Sequence, residues 1–140
     1  MIRIFVDANT IVSGLLFEGN ESRLLDMASF GLVEVMTIDY VMREVRRALV
    51  REEFGLSEDK VGRLMSVVLA WIRLLPDPEE GELRKRWDLL NDKKDFPVLV
   101  GFQQSGCEIL VTGDKELLEN VPRSMVTRDF LRLLRKELSG

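Results

Sequence analysis

The feature that most constrains the fold stands at the start of the chain. Ile2-Arg3-Ile4-Phe5-Val6 is β-branched or aromatic except for Arg3, and it stops abruptly at Asp7. A run this short and apolar reads as a strand buried on both faces, which needs covering layers above and below it. Weaker strand segments recur at 33–36, 72–75, 108–111 and 124–126. Between them lie helical periodicities. The clearest begins at a Ser57 cap and carries Val61, Leu64, Met65, Val68 and Leu69 on one face. Others cover about 21–30, 39–50, 79–90, 95–105 and 128–138, with Thr127 expected to cap the last. The stretch 75–81, rich in proline and acid, reads as a loop. Strands alternating with helices define an α/β fold with a mainly parallel sheet covered on both sides. The length of 140 residues suits a single domain spanning 1–140. Such sheets bind ligands at the carboxyl ends of their strands.

Composition narrows the chemistry. The chain has no histidine and one cysteine, against 24 acidic and 20 basic residues. Imidazole bases, Ser-His-Asp arrangements and the usual zinc hydrolase sites are excluded, so any catalysis has to run on carboxylates. Cys107 has no partner for an internal disulfide, and the longest apolar runs are too short for a signal-peptide core or a membrane span. The expectation is a cytoplasmic protein with no membrane contact.

Asp7 follows the first strand directly, and Asp114 follows the strand at 108–111, so both fall on the rim where such folds work. Each has a second reading as a helix N-cap, as does Asp95, which precedes a helix with Pro97 in its first turn. Glu44 is harder to explain as surface. On a helix over 39–50 the apolar stripe is Tyr40, Val41, Val45, Ala48 and Leu49, and at about 100° per residue Glu44 points between Tyr40, Val41 and Ala48. A carboxylate there needs a partner. An arginine such as Arg47 is one choice, and a hard divalent cation such as Mg²⁺ or Mn²⁺, which takes oxygen ligands, is the other. If Asp7, Glu44, Asp95 and Asp114 converge, a cation relieves their mutual repulsion, and without those four the chain would be formally neutral. Phosphodiester hydrolysis is the natural chemistry of such a cluster.

These segments together resemble the PIN domain family, in the branch of the VapC-like toxin ribonucleases. The resemblance covers almost the whole chain and rests on four pieces in order: Ile4-Phe5-Val6-Asp7-Ala8-Asn9-Thr10, Val41-Met42-Arg43-Glu44-Val45, Asp95-Phe96-Pro97-Val98-Leu99, and Leu110-Val111-Thr112-Gly113-Asp114. It implies a three-layer α/β/α sandwich, Mg²⁺ or Mn²⁺, and endonucleolytic cleavage of single-stranded RNA. It also maps the acidic site onto Asp7, Glu44, Asp95 and Asp114: the three aspartates hold metal, and Glu44 binds metal or orients the attacking water. Asn9 and Thr112 become polar supports for those carboxylates. Asp92, one turn before Asp95, is an alternative third ligand or an outer acid. The helix end Gly101-Phe102-Gln103-Gln104-Ser105 is bulkier and more polar than the small residues usual in the family.

For substrate, Arg43, Arg46 and Arg47 flank Glu44 and are candidate RNA contacts, against the alternative of a solvated helix face. Arg84, Lys85 and Arg86 form a second basic cluster, while Arg128, Arg132, Arg135 and Lys136 read as ordinary surface. By resemblance, the helices around 39–50 and 57–70 form a clip for a homodimer or an antitoxin protein. Two rival readings stand beside the nuclease. One is a PIN-fold binding module without catalysis. The other is a haloacid-dehalogenase-like phosphatase, whose opening motif needs a second aspartate where this chain has Asn9.

Overall fold

A computed structural model describes residues 1–90 and 93–140. Five parallel strands form one sheet: β1 (Arg3–Val6), β2 (Glu34–Ile38), β3 (Ile72–Leu75), β4 (Ile109–Val111) and β5 (Ser124–Met125), in the order β3-β2-β1-β4-β5. The chain steps outward from β1 to β3, then returns across the sheet to place β4 on the other side of β1. The β1/β4 junction is therefore the topological switch point. Register fixes what meets there: Val6 lies opposite Val111, so the next residues, Asp7 and Thr112, leave the sheet at the same level.

Eight α-helices cover the faces among the described residues. α1 (Ala8–Leu16), α2 (Asn20–Ser29), α3 (Asp39–Leu49), α4 (Glu58–Trp71) and α8 (Thr127–Ser139) pack into one connected layer, whereas α5 (Glu80–Lys85) and α6 (Phe96–Ser105) pack on each other, with α6 against β2. α7 (Lys115–Asn120) lies against β5. The result is the three-layer sandwich the sequence implies. β1 has no exposed position after Arg3, as a central strand covered on both sides requires. α3 buries Val41, Met42, Val45, Ala48 and Leu49, adding Met42 to the stripe read from sequence and leaving Tyr40 half-buried. The larger of these side chains contribute about 1.5–3 kcal/mol each on leaving water.

Several sequence expectations shift. The segment 79–90 is helical only over Glu80–Lys85 and then tightens into a short 3₁₀ turn, Trp87–Leu89. Thr127 is the buried first residue of α8 and does not cap it; Val126 occupies the cap position, with no side-chain bond. Asp95 precedes α6, but its side chain makes no capping bond, because its backbone already coils in a 3₁₀ turn, Lys93–Asp95. The bulky end of α6 is accommodated by Gly101. A Cβ there would meet Ile38 and Phe5 at 3.1–3.2 Å, so glycine lets the helix touch the sheet while Phe102 packs edge-on to Phe5. Asp92 lies outside the described residues. No helix among the described residues is long and apolar enough to cross a membrane.

Candidate functional site

At the switch point Asp7 ends β1 and caps α1. Its Oδ1 accepts from the Thr10 amide at 3.1 Å and the Thr10 hydroxyl at 2.7 Å, while its Oδ2 accepts from the Thr112 hydroxyl. The carboxylate is 8% exposed, and Val6 just before it is held by the Thr37 hydroxyl, which donates to the Val6 carbonyl at 2.8 Å. Asp114 caps α7 through the Leu117 amide at 2.9 Å, and its own amide donates to Thr112 Oγ1 at 3.0 Å. One buried hydroxyl thus joins the two rim aspartates, giving in one direction and receiving in the other. Both cap readings of these aspartates hold, and both carboxylates still sit on the rim. Register makes the bridge possible, because threonine follows β4 at the level where aspartate follows β1.

The other sequence candidates stand on α3, at the start of α6 and on α1. Glu44 is half-buried on α3, which packs against α1. Asp95 has its Oδ2 buried at the start of α6. α3 and the turn before Asp95 are tied together by the Tyr40 hydroxyl, which donates to the Lys94 carbonyl at 3.1 Å. Lys93 braces the same turn, donating to the carbonyls of Trp87 and Leu90 and lying over the stacked Trp87 and Phe96 rings. Asn9 is exposed and lines a groove of about 240 Å³ with Thr10, Glu21, Thr112 and Thr127, with no hydrogen bond to Asp7 among the described residues. No group of three or more acidic, histidine or cysteine side chains among the described residues closes around a single metal position. Among the described residues, Asp7 and Asp114 are joined through Thr112.

The donor set is all oxygen. Magnesium-type cations keep several waters and are usually held by one or two carboxylates plus substrate phosphates, so the Asp7–Asp114 pair fits that class of ion and not a closed cage.

The arginines divide. Arg43 is engaged by Asp77 at 2.8 Å and Asp39 at 2.7 Å, and the Asp77 hydrogen bond, ahead of the neighbouring charges, pushes its guanidinium further up in basicity. Arg46 and Arg47 are exposed and make no ion pair among the described residues. Sequence reading missed two things. Asp77, in the predicted loop, also accepts from the Tyr40 amide at 2.6 Å and so fixes the start of α3. Arg128, Arg132 and Arg135 are not scattered surface: with Arg23 of α2 they line one groove of about 350 Å³. Their spacing in sequence, four and then three residues, was the available signal.

A family model describing the PIN domain matches residues 3–116, and the chain belongs to the PIN domain family. The PIN domain is generally a nuclease fold, and its nucleases generally use divalent metal ions. The crystal structure of PAE2754 from Pyrobaculum aerophilum is similar to this chain, with a TM-score of 0.74 at 18% sequence identity, and the similarity covers 96% of each chain. At that identity the likeness bears on fold alone. No curated protein matches the chain by sequence.

Proposed function

We propose that this chain, acting as one domain over residues 1–140, is an Mg²⁺- or Mn²⁺-dependent endoribonuclease that cuts single-stranded RNA in the cytoplasm. We further propose that it serves as the toxin of a toxin–antitoxin pair, as a homodimer held in check by an antitoxin protein. The observation that carries the nuclease reading is the Asp7–Thr112–Asp114 bridge at the switch point of a PIN-family sheet. Asp7, Asp95 and Asp114 are the residues that would hold the cation. When bound, that ion neutralises charge developing on the scissile phosphate and acidifies water for the attack. Glu44 takes the role of orienting that water and receiving its proton. Thr112 keeps the Asp7 carboxylate turned to the rim, and Asp92 and Asn9 are outer contributors. Arg46 and Arg47, with Arg43 behind them, supply phosphate contacts on the α3 side.

The test is cleavage of a mixed single-stranded RNA pool with Mg²⁺ or Mn²⁺ and with EDTA, running wild type beside Asp7→Asn and Glu44→Gln. Metal-dependent products from wild type alone support the reading. Absence of cleavage together with no thermal stabilisation by either metal means a binding module instead.

A further inference from the structure

The groove between α2 and α8 has an apolar floor of Met27, Leu131 and Leu134 and four arginines, Arg23, Arg128, Arg132 and Arg135. Such a concentration of positive charge is conspicuous on a chain of net charge −4. Arg132 and Arg135 make no ion pair among the described residues, and Arg128 has only an exposed contact to Asp129 at 3.5 Å. This groove and the rim groove share no lining residue, but residues adjacent in sequence line the two. On α2, Asn20 lines the first and Glu21 the second; on α8, Arg128 lines the first and Thr127 the second. α8 follows β5 and so runs back from the carboxyl rim along the side of the sheet. Arg128, Arg132 and Arg135 therefore form a ladder, with neighbours about 5–6 Å apart at Cβ, leading away from Asp7 and Asp114. α8 lies outside the residues that the family model matches.

We propose that the α2–α8 groove is a track for the phosphate backbone of single-stranded RNA leaving the acidic rim; this rests on the nuclease reading of that rim. Its place beside the rim groove on α2 and α8 favours a nucleic acid over an acidic peptide, because the polymer that reaches Asp7 has to leave along some surface, and this one is lined by cations at helical intervals. The lining, aliphatic and cationic with no aromatic ring to stack on a base, predicts contact to phosphates.

The test is fluorescence anisotropy of a labelled 16-nucleotide single-stranded RNA of mixed sequence, in EDTA so that binding is read without cleavage. Wild type is compared with Arg132→Gln/Arg135→Gln and with Arg132→Lys/Arg135→Lys across a salt series. Loss of two phosphate contacts lowers the slope of log K against log salt by about 1.4, and weakens binding about 20-fold at 0.1 M salt. The lysine pair should keep the slope. Equal slopes for wild type and the glutamine pair, or no RNA binding by wild type, overturn the track. So does a Glu- and Leu-rich helical peptide that binds wild type and loses affinity in the glutamine pair while RNA does not. Failure of cleavage with the slope change intact strikes the nuclease reading and not the groove.

Discussion

Two acidic corners lie on the carboxyl edge of the same sheet, and they are held by opposite kinds of partner. Beyond β2 and β3, Asp39 and Asp77 close on the Arg43 guanidinium, leaving one net negative charge. Beyond β1 and β4, the partners of Asp7 and Asp114 among the described residues are neutral hydroxyl and amide donors, with no arginine or lysine paired to either. The first corner is exposed and fastens a helix; the second is tighter, with Asp7 buried against Thr112. Electrostatically the second has both carboxylates to offer a cation or, through it, a phosphate, whereas the first shares its two with an arginine. An acid that already has its arginine is part of the scaffold.

The sharpest way to break this contrast is to neutralise one aspartate in each corner. Asp7→Asn should abolish RNA cleavage and the rise in melting temperature expected of wild type with Mn²⁺. Asp77→Asn should keep both and lower the melting temperature by a few degrees at most, the effect of weakening a helix-start contact and an exposed ion pair. If Asp77→Asn removes the Mn²⁺ response as completely as Asp7→Asn, the two corners are not functionally distinct.

A smaller effect is expected at the bridge. Thr112→Val keeps the shape and removes the hydroxyl that joins Asp7 to the Asp114 amide. Loss of such a support should cost about 10–100-fold in cleavage, with Thr112→Ser restoring most of it. Full activity in the valine variant would make the bridge a folding feature alone.

The sheet was legible from sequence because parallel strands buried on both faces carry their signal in the residues themselves: 72–75 is a strand where read, and β2 is displaced by only a residue or two. Asp7 and Asp114 were legible for the same reason, each standing just past such a run. What escaped depends on distant partners. α1 and α7, nine and six residues long, repeat their apolar spacing too few times to stand out, and were foreshadowed by the aspartates that cap them. Asp77 looked like loop chemistry because its partners, Tyr40 and Arg43, lie more than thirty residues earlier. Convergence of all four acids was an inference from residue type, whereas the structure joins two through a threonine whose neighbour in space is 105 residues away. The arginine ladder on α8 became a groove only when α2 closed its other side.

The smallest expected effect tests whether the two corners communicate. Tyr40 belongs to the scaffold corner through its amide, which donates to Asp77, and reaches toward the acidic side through its hydroxyl, which holds the Lys94 carbonyl next to Asp95. Tyr40→Phe removes the hydroxyl and keeps the amide link to Asp77, so it should cost about 1 kcal/mol or less and reduce cleavage a few-fold. Hydrogen exchange distinguishes positioning from general loosening. Amides of Lys93–Asp95 should exchange faster in the phenylalanine variant, while the first turn of α1, anchored independently by Asp7 and Thr10, should be unchanged. Faster exchange in both segments would mean that the two corners are one cooperative unit, and that the scaffold pair takes part in holding Asp7 after all.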